Sequence, residues 1–469
     1  MKHYYNSSKV ELKKVMQPEN EETLLPVMLK DETFEERREK LFSLMGEKEL
    51  DTLVIYGDLE HGSNFEYLTG FLPRFEEGLL VVHRKGKAYL LLGNENLKMA
   101  AHSRIEAELI HVPYFSLPNQ PMDGDYGIKE PLRQAGIRAG IKIGVVGWKY
   151  FTSSTLDNSK LFDIPYYIME GLMELAEDKA SVINACGLFI SPEYGVRTVN
   201  NANEIAHLEF GAALSGINIL EAQNRVQPGM SEMELAQSYK SYGQKQSVIS
   251  ICATGERFIK ANIYPSDKKI KVGDRMSLTV GYKGGLNSRA GYVVKNENEL
   301  PDQEKQYLEL LAKPYFAACA AWLVQIHIGM QGGELYNLVE DVFPKAKYNW
   351  FLNPGHLTSD DEWMSSPVYN GSKDILKSGM LLQLDIIPSI IGMGGTSCES
   401  GIALADDALK KEIRDKYPMV WARMEARLNY IRNVINIKVS NDVLPLSCIT
   451  GYYRPFFLDK EKALTMVDA

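Results

Sequence analysis

The second half of the chain repeats one order of elements, and that repeat limits the folds open to it. A long helical pattern runs from about Ala202 to Val226, and a Ser231–Glu234 capping box opens a second helix. In such a box, hydroxyl and carboxylate satisfy two orphan N–H groups of the first turn. Strand-like runs follow at Ser247–Gly255, Arg275–Tyr282 and near Gly291–Val294. The order then recurs, with helices at about Asp302–Gln325 and Glu334–Val342 and strands at Met380–Ile387 and Thr396–Leu404. Two helices followed by strands, twice over, predict a duplicated ααβ unit whose sheet is covered by its own helices.

The first half alternates helix and strand. Thr33–Glu36 reads as a capping box opening a helix over Phe34–Leu44. DTLVIYG (Asp51–Gly57) has the continuous apolar pattern of a buried strand. GLLVV and KAYLLLG flank a turn at His83–Gly86 and predict a hairpin, and IKIGVVGW (Ile141–Trp148) predicts a further strand. The polar stretch Ser191–Ile205 marks a boundary. The expected organisation is an α/β domain over 1–195 and an α+β domain over 196–469, which 469 residues accommodate.

Composition narrows the functions. The chain is 45% hydrophobic and 24% charged, with a formal net charge of −9. A mildly acidic chain without a basic block lacks the electrostatic footprint of a nucleic-acid binder and the polybasic arm of a membrane-surface protein. The apolar run Phe316–Val324 is too short to span a bilayer. The first sixteen residues contain no apolar signal core. Five scattered cysteines without a CxxC pair fit reduced thiols, so the expected location is the cytoplasm.

Three residues carry the chemistry. Asp385 lies inside LLQLDIIP, where a carboxylate needs a metal, a cation or donors, or else a proton. Glu399 lies in SCESGIAL between small neighbours, and His356 follows the Pro-Gly turn of FLNPGHLTS. His, Asp and Glu from separate segments form a plausible ligand or acid/base set.

With those motifs in view, the chain resembles the pita-bread hydrolases, the family of aminopeptidase P, prolidase, methionine aminopeptidase and creatinase. In the N-terminal half the resemblance rests on LDTLVIYG, NFEYLTGF (Asn64–Phe71) and the LLVV…YLLL hairpin. In the C-terminal half it rests on VRTVNNANEI, VQPGMSEMEL, ATG, KVGD (Lys271–Asp274), Gly355–His356, LKSGMLLQLDIIP and CESGIAL, in that order. It implies a creatinase-type N-terminal domain and a pita-bread domain with a pseudo-twofold ααβ repeat.

Active members of that family hold two divalent metals through Asp, Asp, His, Glu and Glu. Carried over residue by residue, the His matches His356, the first Glu matches Asp385 and the second Glu matches Glu399. The first Asp falls on Thr279, six residues after Gly273, and the second near Arg289 or Ala290. The family's two further histidines fall near Asn262 and Trp363. In this half only His207, His327 and His356 exist, and the first two lie in helical patterns.

The resemblance therefore implies catalytic roles for His356, Asp385, Glu399 and Arg289, and substrate contacts from Asn262, Trp363 and Thr279. A guanidinium is always charged, so Arg289 is expected either to replace the missing metal charge by pairing with Asp385 or Glu399, or to face solvent from the GGLNSRAG loop. The expected cofactor is none, or one divalent ion (Mn, Zn or Fe) held by His356, Asp385 and Glu399. The expected function is Xaa-Pro aminopeptidase- or prolidase-like hydrolysis of C–N bonds at a one-metal or metal-free site. There are two alternatives. One is a protein that only binds a small molecule or peptide. The other is a lyase using the same pocket, where the ring face of Trp363 would suit a small cationic compound. The expected partners are a small molecule or short peptide and a second copy in a homodimer.

Overall fold

The computed structural model describes residues 5–21 and 24–467. It divides into two compact units, Leu29–Thr198 and a second formed by the residues up to Met28 together with Val199 onward. The expected division at residue 195 differs from this at the N-terminal end. Strand β1 (Val10–Lys14) forms an antiparallel pair with the C-terminal strand Lys462–Met466, which ties the leading segment to the second unit.

The Leu29–Thr198 unit is built on a six-stranded sheet. Its strands are β2 (Thr52–Gly57), β3 (Gly78–His83), β4 (Ala88–Leu92), β5 (Glu108–His111), β6 (Ile143–Val146) and β7 (Val182–Asn184). Their order is β5-β4-β3-β2-β6-β7. β2 is buried along all six residues, as its unbroken apolar run requires. β3 and β4 form the expected antiparallel hairpin, with Gly86 at φ +95° in its turn. The first helix spans Asp31–Glu47, starting ahead of the expected capping box. Lys30 makes no side-chain cap, and Thr33 lies buried within the first turn.

The second unit holds a seven-stranded sheet. Its strands are β8 (Ile251–Thr254), β9 (Arg275–Tyr282), β10 (Gly285–Tyr292), β11 (His356–Leu357), β12 (Leu381–Leu384), β13 (Ser397–Leu404) and β14 (Val443–Pro445). The order is β11-β12-β13-β10-β9-β8, with β14 also paired to β13. β8-β9-β10 and β11-β12-β13 occupy equivalent places on either side of the antiparallel β10–β13 pair. Helices Ala202–Arg225 and Glu232–Ala236 precede the first trio, and Lys313–Gln325 and Gly332–Val342 precede the second. The chain thus combines an α/β domain with the duplicated ααβ architecture.

Three local features sharpen or change the sequence reading. The helix expected from Asp302 begins as a 3₁₀ turn and a π turn, and regular α-helix starts only at Lys313. Pro314 sits at that junction, and without an N–H it cannot continue the i→i−4 ladder. Asn201 and Glu204 form a full capping box on the helix Ala202–Arg225. Most importantly, the strand expected near Gly291–Val294 is instead the longer β10, joined to β9 by only two residues. Gly284 makes that tight turn possible. Its φ is +99°, and a Cβ there would lie 1.9 Å from the Leu208 carbonyl oxygen.

Candidate active site

One row of side chains crosses the centre of the seven-stranded sheet. Thr279 on β9 pairs with Ser288 on β10, and Ser288 pairs with Glu399 on β13. Leu384 pairs with Ser400 on the other side of β13, so Asp385 follows one residue past β12 beside that row. His356 pairs with Gln383, two residues before Asp385. Side chains alternate faces along a strand, so these residues share one face. Thr279, Ser288, His356, Gln383, Asp385 and Glu399 are all buried.

His356 is the centre of the group. Its Nδ1 lies 3.2 Å from the Leu357 carbonyl oxygen, which only accepts, so Nδ1 carries the proton. Nε2 therefore presents a lone pair, 4.0 Å from an oxygen of Asp385 and 4.0 Å from an oxygen of Glu362. Glu362 is held in turn by Gln383, whose amide donates to its Oε1 at 2.9 Å and to the Leu286 carbonyl at 2.9 Å. Trp363 packs its ring against His356, centroids 5.1 Å apart, while remaining 49% exposed.

The electrostatics are those of an anionic well. Burial pushes the Asp385 carboxyl up from the usual carboxylate range. Burial raises Glu399 well above it, helped by Asp385 and Glu362 and opposed by Arg289. Burial likewise lifts Glu362 well above its ordinary value, and the Gln383 hydrogen bond only partly offsets it. Burial holds the His356 imidazole down at about 4, hence neutral at pH 7. Three buried carboxyls gathered in one well must hold protons or share a bound cation.

The residues present test the family's metals. Thr279 stands at the first aspartate position, and it donates its hydroxyl to Ser288 at 2.7 Å, so both are neutral and bonded to one another. Ala290, farther along the same face of β10, offers no ligand. A two-metal set does not fit. A single divalent cation does: one ligand atom each from His356, Glu362 and Glu399 all lie within 4.8 Å of one another. Asp385 stands beside that group.

Two expected roles change. Arg289 does not pair with a carboxylate. It lies opposite Cys398, one residue out of step with Ser288 and Glu399, so strand alternation turns it to the other face. There it donates to the backbone oxygens of Tyr452, Ser288, Glu399 and Ile449 and to the Ser400 hydroxyl. The position across from Thr279 is Ser288 because the hairpin turn is only two residues long. Asn262 is exposed, just past the turn that ends the helix Glu256–Ile259, where its N–H donates to the Arg257 carbonyl at 2.8 Å. It adds no buried side chain to the well. His207 and His327 instead bond backbone oxygens, of Val27 and Gln325.

The sequence reading does not single out Glu362 or Gln383. Glu362 belongs to the acidic run Asp360–Glu362, which from sequence resembles a solvated turn. Its one available signal is adjacency to Trp363, the position matching a family histidine. Gln383 is visible as the lone polar neighbour of Asp385 in an apolar strand.

Comparison with known proteins agrees with this architecture. Residues 37–129 match the Creatinase/Prolidase N-terminal domain, and residues 206–409 match Metallopeptidase family M24. A sequence comparison with curated proteins returns no match. Among solved structures, a recombinant prolidase from Thermococcus sibiricus superposes with a TM-score of 0.60 at 18% identity, covering 80% of this chain and 95% of that one. An Xaa-Pro dipeptidase from Bacillus anthracis gives 0.58 at 18%, covering 79% and 94%. An X-Pro aminopeptidase from Thermotoga maritima gives 0.59 at 15%, covering 78% and 94%. The chain belongs to the pita-bread M24 family, with a creatinase-type N-terminal domain. Among the described residues, no helix is long and apolar enough to cross a membrane.

Proposed function

We propose that the protein hydrolyses amide C–N bonds of short peptides, as the prolidases and Xaa-Pro peptidases it is similar to are named for, using one divalent cation instead of two. The observation that carries this reading is the meeting of His356, Asp385 and Glu399 on one buried face, while a hydroxyl pair fills the hairpin side of the row. His356 and Glu399 would hold the ion, an Mn, Zn or Fe, with Asp385 at its side. When bound, such an ion polarises a carbonyl and lowers the pKa of water.

The chain's own residues supply the rest. Asp385, buried and raised, is suited to take a proton from water and return it to the leaving amine. His356 stays neutral, and its Nε2 lone pair is oriented by the Nδ1 bond to Leu357. Trp363, half exposed beside His356, offers a flat apolar face to a substrate ring. Thr279 and Ser288 offer hydroxyls to the substrate from the opposite side. We place the protein in the cytoplasm as a homodimer, a state that light scattering tests.

A second reading is favoured by the loss of two imidazoles, at Asn262 and Trp363: a pita-bread protein that binds a small molecule or peptide without turnover. Elemental analysis and an assay on Gly-Pro with added Mn²⁺ separate the two. The hydrolase reading expects about one metal per chain and slow turnover that a chelator abolishes. Metal without turnover favours the binding protein. Two metals per chain with robust turnover contradict both.

A further inference from the structure

Resting on the single-cation reading, we infer that Glu362 is a ligand of that cation and that the metal site has moved from the β9–β10 hairpin to the turn after His356. Two observations are independent of the mere gathering of acids. Glu362 Oε2 is buried and has no hydrogen-bond partner, on a residue only 8% exposed. Nearby, the His356 Nε2 lone pair lies 4.0 Å from Glu362 Oε1, where neither atom can donate when the carboxylate is ionised. A buried oxygen without a donor and an adjacent acceptor lone pair are groups that a bound cation would satisfy.

The surroundings are arranged for it. The Gln383 amide grips Glu362 Oε1 and is itself anchored to the Leu286 carbonyl, so the carboxylate is aimed by a neighbour, as metal ligands commonly are. The three ligand atoms lie within 4.8 Å of one another, and the 4.0 Å between His356 Nε2 and Glu362 Oε1 is a span that one ion bridges with bonds of about 2.0–2.2 Å. Charge gives the same result. With neutral hydroxyls at Thr279 and Ser288, the carboxylate at 362 adds negative charge beside His356. One neutral imidazole and two carboxylates with an open position form a set suited to Mn²⁺, Fe²⁺ or Zn²⁺.

The test is calorimetric titration of the metal-stripped full chain with Mn²⁺, repeated with Co²⁺ to record its visible spectrum. The wild type, Glu362→Gln and Thr279→Val are compared. Expected are one Mn²⁺ per wild-type chain, at least about tenfold weaker binding in Glu362→Gln, and unchanged binding in Thr279→Val. The Co²⁺ band should also move in Glu362→Gln and not in Thr279→Val. Circular dichroism checks folding, and Glu362→Asp provides a second variant of intermediate affinity. Unchanged affinity and Co²⁺ spectrum in Glu362→Gln overturn the inference but leave the single-cation reading standing on His356, Asp385 and Glu399. A wild type that binds no Mn²⁺ or Co²⁺ overturns both.

Discussion

Thr279 donates its hydroxyl to Ser288 at 2.7 Å across the β9–β10 hairpin, and Ser288 in turn faces Glu399 on β13. Two neutral side chains thus occupy the half of the row that would otherwise carry charge. Glu399 and Asp385 occupy the equivalent half contributed by the second ααβ copy.

Replacing both hydroxyl residues together, as Thr279→Asp with Ser288→Asp, should raise metal content from one to two divalent ions per chain. Elemental analysis after Mn²⁺ loading checks this. Metal-free, the same variant should melt lower than wild type, because two more carboxyls are buried in a well already crowded with them.

Arg289→Ala should destabilise the protein by at least about 3 kcal/mol, because four backbone oxygens lose a buried donor and a large cavity opens. Arg289→Lys should recover little, since an ammonium lacks the planar fork that reaches several acceptors at once. Urea melts at two pH values check both. The cost should be larger at the higher pH, because Arg289 also opposes the rise of the Glu399 carboxyl and its loss lifts that group further.

Metal-free stability should fall as pH rises above the ordinary carboxylate range. Glu362, Asp385 and Glu399 are all raised in the fold, so the native state keeps protons that the unfolded chain has released. Each such group costs about 1.4 kcal/mol per pH unit across its interval. His356, held at about 4, has the opposite sign, losing stability as pH falls from about 6.5 toward 4. One imidazole against three carboxyls leaves the carboxyl slope dominant. Saturating Mn²⁺ should flatten it, and Glu362→Gln should melt higher than wild type when both are metal-free at a pH of about 8. Thermal melts across a pH series, with and without Mn²⁺, check the slope and its sign.

Glu209→Gln should cost about 3–5 kcal/mol while leaving metal stoichiometry unchanged. Glu209 is fully buried and receives Arg423 at 3.0 and 2.6 Å and Arg427 at 2.6 Å, while Arg427 also grips Glu21. Thermal melts with parallel metal analysis check the prediction. A loss of metal would show that the network shapes the site as well as the fold.

The order of elements was legible in the sequence because periodicity is local: apolar runs, capping residues and turn glycines act within a few positions. So were His356, Asp385 and Glu399, because a carboxylate in an apolar strand stands out wherever the strand goes. The role of Arg289 was not legible. A strand presents alternate residues to opposite faces, so a hairpin turn two residues long made Ser288 the partner of Thr279 and sent Arg289 to the other side. Glu362 was hidden for a related reason. An acidic run in a turn is normally solvated, and only the packing of that turn against Gln383 and His356 buried this one of its carboxylates in the well. Sequence by itself determined which elements form and which residues are out of place within them. Tertiary structure decided which of those residues face each other, because register and burial depend on contacts between segments far apart along the chain.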